Sequence, residues 1–151
     1  MLQRSSLKMG LFCAPVGLVA GIAILLIASA GGYEFFILAA PLAAFLTGYG
    51  MWWLLIERPE KLSRGRGALA GALAGFVAHY LCWYILILFH NVCYHVLGRC
   101  VDSLNEGPID PLNGLWGALV FSLMSLLFLG IFTVGLGGLI GYFFARSQEK
   151  S

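Results

Sequence analysis

The chain has 151 residues, of which 60% are hydrophobic and 11% charged, with a formal net charge of +2 and a mean hydropathy of +0.90. A water-soluble domain carries about a quarter charged residues, so a soluble monomer, a disordered chain and a nucleic-acid-binding protein are excluded. What remains is a multi-pass membrane protein whose first partner is the lipid bilayer, with no nucleic acid among its partners.

A helix crosses the roughly 30 Å hydrocarbon layer with about 20 mostly apolar residues. The first such run covers about 9–30 and holds no charge. Arg4 and Lys8 before it and Ala28-Ser29-Ala30 after it imitate a cleavable signal peptide. The apolar run of about 19 residues exceeds the usual signal-peptide length, so we expect the helix to be retained. Gly31-Gly32-Tyr33-Glu34 then predicts a tight hairpin into a second span over 35–56, which Pro59 terminates.

A short loop of mixed charge, 57–67, leads into a third span over 68–97. The loop 98–114 contains Pro108 and Pro111 and reads as irregular. The fourth span, 115–145, is too long for an upright crossing, which predicts a tilt, or a break at Gly135-Leu136-Gly137-Gly138. The fold expected is an all-α membrane protein, one domain over 1–151, with four transmembrane helices in two antiparallel hairpins.

Charge predicts the orientation. Arg4, Lys8, Arg58, Lys61, Arg64, Arg66, Arg146 and Lys150 fall on one side of the membrane, and Arg99 alone falls on the other. The positive-inside rule then puts both termini in the cytoplasm of a plasma membrane, in the simplest case a bacterial inner membrane.

Lipid tails are as apolar as leucine, so helices associate in a bilayer through close packing of small residues. Gly67, Gly71 and Gly75 form one stripe on span three, with Leu69, Leu73 and Phe76 on the opposite, lipid-facing side. Gly17 and Gly21 on span one and Gly137 and Gly141 on span four offer matching grooves. The spacing leaves open whether each groove meets a helix of this chain or of a second copy.

His79 lies deep in span three, where an ionisable side chain must face the bundle interior or a wet cavity. With His90 near the same stripe and Ser122, Ser125 and Thr133 on one side of span four, it predicts a polar seam between the two helices. That seam is either a path for a proton or substrate, or packing glue in which a neutral histidine bonds a hydroxyl. Near the outer end, Cys93 and Cys100 are seven residues apart in the sequence, and Gly98 between them lets the chain fold back toward a disulfide. His90 and Cys93 share a helical face, but no second cluster completes a metal site, and Cys13 and Cys82 read as packing residues.

No Ser-His-Asp set, paired carboxylates, zinc motif or cofactor-binding motif is present. Scarce chemistry beside abundant small-residue faces predicts a non-enzymatic protein that packs with itself or with a larger membrane complex. The alternative is a small oligomeric transporter or channel with a polar path past His79. Redox or metal chemistry at His90, Cys93 and Cys100 ranks third.

Overall fold

The structure, a computed structural model, describes residues 5–28, 33–100 and 106–149. Arg4, Lys150, the Ser29-Ala30 part of the signal-peptide-like site, the Gly31-Gly32 hairpin and loop residues 101–105 lie outside them. Every regular element among the described residues is helical. Helix α1 is Ser5–Ile27. A 3-10 turn, Tyr33–Phe35, leads into α2, Phe36–Trp52, which continues as a wide π turn, Trp53–Glu57. Helix α3 is Arg64–Leu97 and α4 is Pro111–Gln148.

All four are long and apolar enough to cross a membrane, with mean hydropathies from 1.6 to 2.5 over their most apolar stretches. The starts of α3 and α4 are set by local chemistry. The Ser63 hydroxyl accepts the Arg66 backbone N–H at 3.3 Å and opens α3. The Asp110 carboxylate accepts the N–H groups of Leu112 and Asn113 at 3.0 and 3.1 Å ahead of Pro111, which opens α4. Gly98, at φ 62°, ends α3 in the left-handed conformation that glycine adopts without strain.

Helix α4 runs unbroken through Gly135–Gly138, so the break offered by the glycine run is not taken. In hydrocarbon an interrupted helix would leave backbone groups unpaired, which is costly. The 38 residues of α4 extend about 57 Å at ~1.5 Å per residue. That is well beyond the ~30 Å of a bilayer core.

Helix α3 packs most extensively on α4, α1 on α2, and α2 on α3, while α1 and α4 barely meet. The molecule is therefore two antiparallel hairpins joined through α2 and α3. The end carrying Arg58, Lys61, Arg64, Arg66 and Arg146, called here the basic end, is tightly closed. Met9, Trp52 and Ile56 are fully buried there, with Phe144 set edge-on to Trp52 at 4.9 Å. The Trp52 indole N–H donates to the Ser5 hydroxyl at 3.1 Å. Arg64 pairs with Glu149 at 2.8 Å, linking the start of α3 to the end of α4.

At the opposite end Cys93 and Cys100 are joined by a disulfide, with their Cα atoms 5.9 Å apart. The left-handed Gly98 produces the reversal this requires, and Arg99 donates its backbone N–H back to the Cys93 carbonyl at 3.4 Å. Buried Asn91 holds the loop from another side, donating to the carbonyls of Ile87 and Ile109, each at 2.8 Å.

Candidate functional site

The glycine stripes pack against helices of the same chain. Gly17 lies against the backbone of Ala40 and Gly21 against that of Phe36, where a Cβ would come within 2.5 Å of a carbonyl oxygen. On the other hairpin, Gly67 meets Gly141, Gly71 meets Gly137, and Gly75 meets Thr133. Four residues up α3 thus correspond to four residues down α4. The next step up is His79, which falls opposite Leu129, midway between Thr133 and Ser125.

His79 reaches both. Its Nδ1 shares a hydrogen bond with Ser125 Oγ and its Nε2 with Thr133 Oγ1, each at 2.7 Å. The Trp83 indole N–H adds a bond to Ser125 Oγ at 3.3 Å. The hydroxyls also face their own helix, Ser125 toward the Ser122 carbonyl at 3.0 Å and Thr133 toward that of Leu129 at 3.1 Å. These residues sit near the midpoints of both α3 and α4.

The cluster forms one wall of a cavity of about 320 Å³ to which all four helices contribute. Cys13, Gly17 and Ala20 come from α1, Ala40 and Thr47 from α2, and Ala78, His79 and Cys82 from α3. Helix α4 adds Ser125, Leu129 and Thr133. Helices α1 and α4 barely meet, Phe12 lying 5.5 Å from Phe144 near the basic end, so along most of their length a gap between them borders the cavity. Polar groups other than the histidine cluster are scarce on its walls, Thr47 using its hydroxyl on the Ala43 carbonyl at 2.8 Å.

A second cavity of about 250 Å³ lies toward the disulfide end, lined by His90, Leu86, Pro108 and Ile109. Tyr33, Phe36 and Trp83 line both. Trp83 is held between Phe36, edge-on at 5.3 Å, and Phe121, stacked at 5.0 Å.

Of the residues singled out in the sequence, His79, Ser125 and Thr133 meet in one network. Ser122 is buried beside it and contributes its carbonyl. His90 is separate: its ring bonds the Leu86 carbonyl through Nδ1 at 2.9 Å and meets Phe35 edge-on. Cys93 is bonded to Cys100 and is not a free thiolate, and no group of three or more His, Cys, Asp or Glu among the described residues is placed to hold a metal ion. Cys13 and Cys82 are free thiols. Sequence reasoning missed Trp83 and Asn91. Trp83 follows His79 by one helical turn and so shares its face, and Asn91 is a lone amide in an apolar run; both signals were present.

No known protein family, no curated protein and no solved structure matches this chain, and the functional reading rests on the geometry above.

Proposed function

We propose that this chain is a non-enzymatic membrane protein that binds a lipid-soluble molecule in the cavity between its two hairpins, with the His79 cluster as the polar contact. The observation that carries this reading is the position of the cluster: a hydrogen-bonded histidine on the wall of an apolar cavity that opens toward lipid and is sealed at the basic end. A cavity of this size is at the small end of the ~300–1,000 Å³ range of small-molecule sites. An occupant entering sideways comes from the bilayer, not from water. The glycine faces are occupied within the chain, so association with a second copy or a larger complex is not proposed through them.

The orientation belongs to the same proposal: both termini and the 58–63 loop in the cytoplasm, and the disulfide on the oxidising side of a plasma membrane, the bacterial inner membrane being the simplest case. The distribution of basic residues supports it, as does the disulfide.

The test is extraction of small molecules from protein purified in mild detergent, analysed by mass spectrometry. Wild type should carry a species enriched over bulk lipid, and Ala78→Trp, which fills the cavity, should lose it while keeping its melting temperature. Absence of any enriched species, or equal enrichment in the filled variant, overturns the reading.

A second reading, translocation past His79, is favoured by one observation: Trp83 stands between the two cavities and is bonded to Ser125. It requires proton or solute flux into proteoliposomes that falls in His79→Ala. Equal flux in both proteins counts against it.

A further inference from the structure

Hydrogen-bond capacity within the cluster specifies what a ligand must offer. A neutral cluster has four polar protons: one on the imidazole, one on each hydroxyl and one on the Trp83 indole. When Nε2 carries the imidazole proton it donates to Thr133, Thr133 donates to the Leu129 carbonyl, and Ser125 donates to Nδ1. When Nδ1 carries it, Ser125 accepts from His79 and from Trp83 and donates to the Ser122 carbonyl, while Thr133 donates to Nε2. In both tautomers every proton has an acceptor already, and in both Thr133 Oγ1 keeps a lone pair unused. A ligand carbonyl could bond the cluster only by breaking one of its internal bonds. A ligand hydroxyl can bond it without breaking any.

We propose that the cavity selects a lipid-soluble alcohol or phenol, whose hydroxyl donates to Thr133 Oγ1 while its apolar body fills the space between α1 and α4. This rests on the lipid-soluble-ligand reading above and narrows it to hydrogen-bond donors. Any apolar chain would gain from the greasy walls, so the walls alone do not discriminate. Discrimination comes from the polar contact at Thr133, which is made in a medium where a hydroxyl has no water to return to.

The experiment measures saturable binding of tritiated farnesol and of tritiated farnesyl methyl ether, which has the same chain but no donor. Protein is held in nanodiscs, and protein-free nanodiscs are subtracted. The alcohol should bind about ten-fold more tightly than the ether, the equivalent of one well-made hydrogen bond. Thr133→Val, which keeps the side-chain shape, should reduce the alcohol to the level of the ether and leave the ether unchanged. Equal binding of both probes, abolished in Ala78→Trp, overturns donor selection and leaves the cavity reading standing. An alcohol preference that survives Thr133→Val overturns the assignment to Thr133. No saturable binding of either probe to wild type overturns the cavity reading and this inference together. Circular dichroism and melting temperature of each variant separate loss of binding from loss of fold.

Discussion

Gly71 and Gly137 face each other across the α3–α4 contact so closely that a β-carbon on either would collide with the carbonyl oxygen of the other. The contact is backbone on backbone, so neither neighbour can swing aside. Gly71→Val should destabilise the protein by about 3 kcal/mol, the upper part of the overpacking range. Gly135 has open space around it, and Gly135→Ala should raise stability by about 0.5 kcal/mol through helix propensity. Thermal melts of the two variants in detergent check the contrast.

The histidine bridge should be measurable as a coupling. A double-mutant cycle of His79→Ala and Thr133→Val should give an interaction of about 1 kcal/mol, within the range for buried polar pairs in membrane helices. Repeating the cycle with Ser122→Ala in place of Thr133→Val should give none, because the Ser122 hydroxyl has no part in the histidine's bonds and only its carbonyl accepts from Ser125.

Denatured protein treated with a maleimide of high mass should show two modified thiols, Cys13 and Cys82, and four after reduction. Cys100→Ser should lower stability by about 2 kcal/mol by freeing a closed loop in the unfolded chain. Band shifts on a gel give the thiol counts directly.

Single-cysteine variants on a background without native cysteines report the orientation. Lys61→Cys should resist a membrane-impermeant maleimide applied to intact cells, and Gly107→Cys should react with it. The reverse pattern would invert the proposed topology.

Asp110 makes an acid-sensitive cap. Its carboxylate is held below the usual range first by the Asn113 backbone N–H and then by the Asn113 side chain. A depressed carboxylate contributes stability that is fully present above its unfolded pKa and is lost as pH falls through the lowered folded value. Melting temperature against pH should therefore show an acid decline in wild type that is reduced in Asp110→Asn. Asparagine still caps a helix but has no such titration.

The helical architecture was legible because hydrocarbon imposes a simple rule on sequence: long uncharged runs become helices. The stripe Gly67, Gly71, Gly75 was legible for a similar reason, since its period admits one face only. Its partner was not, because matching grooves on α1 and α4 fit within a chain or between chains equally well on spacing alone. The uninterrupted α4 departs from the break that Gly135–Gly138 suggests, because in lipid a glycine run serves close approach more readily than it ends a helix. His79 was visible as a buried polar residue, whereas the cavity beside it was not. Its opening comes from α1 and α4 failing to pack along most of their length, a relation between distant helices that no local pattern encodes.

The glycine register also acts as a ruler. Because His79 lies one further step along the repeat that seats Gly67, Gly71 and Gly75 on α4, a single inserted residue between Gly75 and His79 would rotate the imidazole by about 100°, out of reach of both hydroxyls. The tract joining the glycine stripe to the histidine therefore tolerates substitution of its outward side chains far better than any change in its length.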